Sequence, residues 1–198
     1  MRGGCSLVIL AGGLSRRMGR DKGSLPAGDG TLIEHIARRL ASVVDETIVA
    51  SGSGRPAVAG VRMVEDRYPG HGPLAGIHAG LAAASYPHVW VVGCDLPDAD
   101  PALAQLFLGL VAGYDAVVPH IDAEPQSVCA LYDRALASRI EGLLAGGERS
   151  VKSLLAASNV RYVTTEELRA VDPELRSFRN INTRADYEAW LTAQPASR

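Results

Sequence analysis

The apolar positions of this chain fall into short runs and helical stripes that alternate from the amino end onward. Residues 6–10, Ser-Leu-Val-Ile-Leu, form a continuous apolar run and predict a buried strand. Thr31-Leu-Ile-Glu34 has the form of a capping box, with Thr31 as N-cap and Glu34 three residues on. Leu32, Ile33, Ile36, Leu40 and Val43 then follow a helical stripe. Residues 47–50 and 61–64 predict the next strands, and residues 74–85 a helix of small side chains. Residues 88–92, His-Val-Trp-Val-Val, are strongly β-forming. A helix over 101–111, strands over 116–118 and 128–132, and a helix over 134–144 complete the pattern. Strands alternating with helices predict an α/β fold of Rossmann-like type: a mostly parallel sheet with helices on both faces.

Length and composition narrow this picture. The chain has 198 residues, which fits a single domain spanning 1–198. Hydrophobic residues make up 47%, charged residues 21%, and the net charge is −2. That balance argues against a broad basic surface for nucleic acid, so any anion site must be local. The first apolar run, residues 5–11, is too short for a signal core or a membrane span. Cys5, Cys94 and Cys129 are far apart and show no C-x-x-C spacing, which predicts buried reduced thiols in a cytoplasmic protein.

Two segments carry candidate chemistry. Leu10-Ala-Gly-Gly-Leu-Ser-Arg-Arg-Met-Gly-Arg-Asp-Lys22 directly follows the first strand. Its glycines let backbone N–H groups approach phosphate oxygens, and Arg16, Arg17 and Lys22 add positive charge. Neither a P-loop nor a dinucleotide fingerprint is present, because Lys22 stands three residues after Gly19 and Gly12-Gly13 lacks the G-x-G-x-x-G spacing. Taken as composition alone, the segment also reads as a flexible basic loop. The second segment, Gly93-Cys-Asp-Leu-Pro97, ends a strand with Asp95. If that strand neighbours the first, Asp95 lies beside the Gly-rich loop and offers a hard oxygen ligand for Mg2+. The competing reading is a turn or cap aspartate.

Other positions are less specific. Asp66 follows a strand and reads as a turn former or a nucleotide contact, and His71 as an exposed loop histidine without an acid/base partner. Asn180 and Asn182 flank Ile181 and share one face of an extended segment, where amides suit a heterocycle, a cap or a turn. Thr183 and Asp186 predict another helix start.

The order of these motifs resembles the nucleotidyltransferase superfamily, and within it the molybdenum cofactor guanylyltransferase family. The resemblance rests on Leu10–Lys22, on Asp66 with Pro69–Gly76, on Cys94–Pro97, on Gly147–Arg149 and on Asn180–Thr183. It implies transfer of GMP from GTP to the phosphate of molybdopterin, with release of pyrophosphate. It also implies GTP binding by Leu10, Ala11, Gly12, Gly13, Lys22, Asp66 and Asp95, and a Mg2+ ion on Asp95. Lys22, Arg17 and Asp95 are the implied catalytic residues, and Asn180 and Asn182 the implied molybdopterin contacts. The amino-terminal part would then bind GTP and the carboxy-terminal part molybdopterin. Molybdopterin-insertion proteins or apo-molybdoenzymes are the implied partners, with no nucleic acid and no membrane. The chain departs from the family where it has Ala50-Ser-Gly52 in place of an asparagine at that strand end, so no nucleotide contact is assigned there. Three alternatives stay open at this point: a cytidylyltransferase acting on the same pterin, a different sugar- or alcohol-phosphate nucleotidyltransferase, and a non-catalytic nucleotide-binding module. Gly12, where cytidylyltransferases usually carry alanine, favours guanine over cytosine.

Overall fold

The computed structural model describes residues 4–11, 22–52, 58 and 60–194. In chain order it contains β1 (Cys5–Leu10), the short strands β2 (Pro26–Ala27) and β3 (Gly30–Thr31), α1 (Leu32–Leu40), β4 (Glu46–Ser51), β5 (Arg62–Glu65), α2 (Gly72–Ala83), β6 (His88–Gly93) and α3 (Pro101–Leu110). It continues with β7 (Ala116–Ile121), β8 (Glu124–Pro125), β9 (Cys129–Asp133), α4 (Leu136–Ala145), α5 (Val151–Ala156), β10 (Val160–Val163), α6 (Thr165–Arg169) and α7 (Arg184–Ala193).

The main sheet has the order β10-β7-β9-β6-β1-β4-β5, with β8 added to β7. β1 pairs in parallel with both β4 and β6, while β9 runs antiparallel to its two neighbours. The strand order therefore reverses at β1: β4 and β5 extend to one side and β6 to the other. Ligands in open α/β sheets sit beyond the carboxyl ends of the strands at such a reversal.

Side-chain alternation along β1 explains why that strand is continuously apolar. Leu7 and Ile9 enter one buried cluster with Ile33, Ile36 and Leu40 of α1 and Phe107 of α3. Val8 and Leu10 enter another with Leu74, Ile77 and Leu81 of α2 and Ile140 and Leu144 of α4. A strand covered on both faces has no polar face to show. Gly80 of α2 sits directly against Val8, where an added Cβ would overlap the valine methyls, so α2 packs closely on β1.

A third, smaller cluster stands apart. Leu25, Ala27, Leu32, Ile181 and Trp190 bury one another, with Tyr187 packed alongside. It joins the β2–β3 hairpin to α7 and fixes both relative to α1. Trp190 meets His35 of α1 edge-on at 5.2 Å and stacks with Tyr187 at 6.4 Å.

The expected starts at Thr31 and Thr183 are both complete capping boxes. The helix expected from residue 74 already begins at Gly72, and the one expected from 134 begins at Leu136, because a turn at Asp133 precedes it. All three cysteines are free and buried. Burial pushes the Cys5 thiol up to about 11 and that of Cys129 up to about 12. Among the described residues no helix is long and apolar enough to cross a membrane.

Candidate nucleotide and acceptor site

The carboxyl ends of β1 and β6 are locked together. Leu10 pairs with Gly93 and the N–H of Cys94 donates to the Leu10 carbonyl at 3.0 Å, while on the other side of β1 the N–H of Ala11 donates to the Ala50 carbonyl of β4 at 2.8 Å. The chain then turns at Gly93–Leu96, closed by the Leu96 N–H on the Gly93 carbonyl at 3.0 Å. Asp95 occupies this turn, not a helix N-cap; the cap of α3 is Asp100, whose carboxylate accepts from the Ala102 N–H. An added Cβ on Gly93 would stand 2.5 Å from Oδ1 of Asp95, so the carboxylate lies against a bare Cα.

Lys22, the last residue of the Gly-rich segment in sequence, reaches the same place. Its Nζ is 3.6 Å from Oδ2 of Asp95 and donates to Oδ1 of Asn182 at 3.0 Å. The two charged side chains retain 17% and 27% of their exposure, so they stay within reach of a ligand yet are partly withdrawn from water. Charges held this way act on a bound anion with less screening than on an open surface.

The segment bearing Asn180 and Asn182 is pinned at several points. The Ile181 N–H donates to the Asp95 carbonyl at 2.9 Å, and its side chain fills the small third cluster. Asn180 and Asn182 project outward on either side of it, as the alternation predicted. The Ser177 hydroxyl accepts from the Asp100 N–H at 3.0 Å, and the Trp190 indole N–H donates to Asp98 at 2.9 Å. The Tyr187 hydroxyl donates to the Pro26 carbonyl at 2.7 Å. Residues 177–190 thus bind both the turn that carries Asp95 and the hairpin that follows Lys22. Asp186 accepts from the N–H groups of Thr183 and Asn182, and these bonds hold its carboxyl below the usual range.

Other motif residues serve local structure. Asp66 accepts from the Tyr68 N–H at 2.7 Å and so shapes its own turn at the carboxyl end of β5. His71 is a loop residue as expected, but partly buried and not exposed, because the Gly70-His-Gly turn leads straight into α2. In Gly147-Glu-Arg149, Glu148 accepts from the N–H groups of Arg149 and Ser150 and from the Ser153 hydroxyl, which closes the turn into α5 and lowers its carboxyl. Among the described residues no group of three or more His, Cys, Asp or Glu stands close enough to hold a metal on its own. Gly12, Gly13, Arg16 and Arg17 lie outside the described residues.

The structure therefore brings together Leu10, Ala11, Lys22, Asp95, Asn180 and Asn182. Sequence reasoning named Gly93 only as the start of its segment, without a role, and missed Ser177, Tyr187 and Trp190. The aromatic pair Tyr187 and Trp190, three residues apart on a polar helix, was the one available signal for the latch.

Residues 7–163 match the model of the MobA-like NTP transferase domain. A probable molybdenum cofactor guanylyltransferase from Pelotomaculum thermopropionicum is 37% identical over 180 residues, 90% of this chain and 88% of the relative. A molybdenum cofactor guanylyltransferase from Desulfosudis oleivorans is 33% identical over 96% of both chains. The crystal structure of molybdopterin-guanine dinucleotide biosynthesis protein A from Archaeoglobus fulgidus superposes with a TM-score of 0.79 at 29% identity, covering 93% of this chain and 95% of that one. The chain is a nucleotidyltransferase and belongs to the MobA-like NTP transferases, in the molybdenum cofactor guanylyltransferase family.

Proposed function

We propose that the protein transfers GMP from GTP to the phosphate of molybdopterin, releasing pyrophosphate and forming the molybdopterin guanine dinucleotide. The observation that carries this reading is the approach of Lys22 to within 3.6 Å of Asp95 at the reversal point between β1 and β6. An ammonium and a carboxylate converging on one open cleft suit a polyphosphate and its cation. The names of the relatives supply the acceptor.

The reaction asks little of general-base chemistry. The second pKa of a phosphate monoester is near 6, so at neutral pH the acceptor is largely a dianion. One of its oxygens attacks the α-phosphorus of GTP, the α–β phosphoanhydride bond breaks, and pyrophosphate leaves with the electron pair. Catalysis then reduces to alignment and charge neutralisation. Lys22 would balance charge on the departing pyrophosphate, with Arg17 of the same Gly-rich segment. Leu10 and Ala11, at the end of β1, would face the guanine with Gly12 and Gly13, and Asp66 would take its contact from the β5 end. Asn180 and Asn182 would border the acceptor.

The partly exposed Asp95 carboxylate, a hard oxygen donor next to the Lys22 ammonium, fits Mg2+, which commonly takes one or two protein carboxylates and completes its shell with phosphate and water. When bound, Mg2+ supplies Lewis-acid stabilisation of charge on the phosphoryl oxygens. Product analysis after incubation with molybdopterin, Mg2+ and each of the four nucleoside triphosphates tests the proposal. Pyrophosphate and a guanine dinucleotide are expected with GTP. Preferential turnover of CTP would overturn the guanine assignment, and no turnover of any triphosphate would overturn the transfer reaction.

A further inference from the structure

We infer that Asn182 is a positioning residue for Lys22, acting on the nucleotide side of the cleft in addition to any part it has in holding the acceptor. This deepens the function proposed above and rests on it.

The geometry behind the inference is the division of the Lys22 ammonium between two acceptors. Its hydrogen bond goes to the neutral amide oxygen of Asn182 at 3.0 Å, while the carboxylate of Asp95 stands off at 3.6 Å. An ammonium next to a carboxylate would ordinarily close to a direct charge-assisted bond, with a separation of about 2.7–2.9 Å. Here the amide holds it short of that. The arrangement has a chemical consequence. A tight Lys22–Asp95 pair would neutralise the carboxylate that a divalent cation needs and turn the ammonium away from the triphosphate. With Asn182 in place, Asp95 keeps its lone pairs open toward the cleft and Lys22 keeps donors free for phosphate.

Asn182 itself is well held for this task. The preceding residue, Ile181, is buried and donates its N–H to the Asp95 carbonyl. The N–H of Asn182 donates to Asp186 at 2.9 Å inside the capping box of α7. Both backbone anchors survive removal of the amide, so Asn182→Ala removes the Lys22 partner and leaves the segment in place. Thr192 is exposed on α7, donates its hydroxyl to the Glu188 carbonyl and has no bond to Lys22 among the described contacts, which makes it the internal control.

The test omits the acceptor. Calorimetric titration of wild type, Asn182→Ala, Thr192→Ala, Lys22→Ala and the Lys22→Ala/Asn182→Ala double variant uses the α,β-methylene analogue of GTP with Mg2+. Circular dichroism of each variant checks the fold. Loss of a hydrogen bond to a charged group predicts analogue binding about tenfold weaker in Asn182→Ala. The Mg2+ concentration for half-saturation should rise by a similar factor. Thr192→Ala should bind like wild type. In the Lys22→Ala background, Asn182→Ala should have no further effect, because the amide acts through the ammonium. Unchanged analogue and Mg2+ binding in Asn182→Ala, with only the acceptor KM raised, would overturn the inference and leave Asn182 to the acceptor alone. Additive losses in the double variant would overturn it too. If wild type prefers the CTP analogue, the guanine assignment falls on its own and the same comparison, read with that analogue, decides the role of Asn182. If wild type binds neither analogue, both readings fall together.

Discussion

The two halves of the cleft are built to different standards. The carboxylate half is an extension of the sheet: Asp95 sits two residues past β6, whose strand is buried from Val89 to Gly93 and paired on both sides. The ammonium half is held by the small third cluster and a few long-range hydrogen bonds from residues 177–190. One half inherits its geometry from the largest cooperative unit of the molecule. The other depends on five buried residues, and such a satellite opens at lower free energy than the core. The cleft is therefore as well ordered as its weaker side.

The sharpest way to break this comparison is at the carboxylate. Asp95→Asn should lower GMP transfer by about 10²–10³, as for a lost preorganised electrostatic contact, while thermal melting stays at the wild-type temperature. Wild-type turnover by the folded variant would remove Asp95 from the reaction. Next comes the ammonium: Lys22→Ala should reduce kcat/KM for GTP by about 10–100-fold, the range for a charge-assisted hydrogen bond, read by steady-state pyrophosphate release. Unaltered GTP kinetics would leave Lys22 without the role assigned to it.

The third variant acts on the support of the weaker half. Trp190→Ala empties the centre of the small cluster and removes the bond to Asp98. Truncating a buried tryptophan costs about 3–5 kcal/mol. If the satellite opens by itself, hydrogen exchange should rise across α7 and the β2–β3 hairpin, while the buried thiols of Cys5 and Cys129 stay slow to alkylate. Loss of thiol protection along with the exchange would mean that cluster and sheet form one unit, and Trp190→Phe then tests the packing with less disruption.

The smallest effect separates geometry from stability. Gly93→Ala places a Cβ about 2.5 Å from Oδ1 of Asp95. The carboxylate can swing away, so the fold should survive and transfer should fall by about tenfold, the order of a displaced charged contact. Gly80→Ala meets the branched Val8 in a packed core instead. It should cost about 1–3 kcal/mol of stability, with turnover per folded molecule preserved. Equal melting losses in both variants would erase the distinction.

Much of the carboxylate half was legible in the sequence, and little of the ammonium half. The runs over 6–10 and 88–92 read as strands because both faces are covered, and Asp95 followed from the end of the second run. Their adjacency was a condition that the β1–β6 pairing satisfies. β2 and β3 have two residues each and α6 five, too few for any period to emerge. β10 has four residues on the sheet edge, and α5 has six between two turns. The Lys22–Asn182 contact spans 160 positions and is made by tertiary packing alone, so no local pattern announces it. The Thr183 capping box was visible, but its effect on Asn182, through Asp186, becomes evident only when the partners are in place.

That long span has a consequence for synthesis. The last strand of the sheet ends at Val163, so a growing polypeptide has made every strand before residue 182 leaves the ribosome. Until then Lys22 has no amide to rest on and the small cluster lacks Ile181 and Trp190. The Lys22–Asn182 contact and the small cluster are thus completed only after the strands of the sheet have been made, once residues 181–190 have followed them.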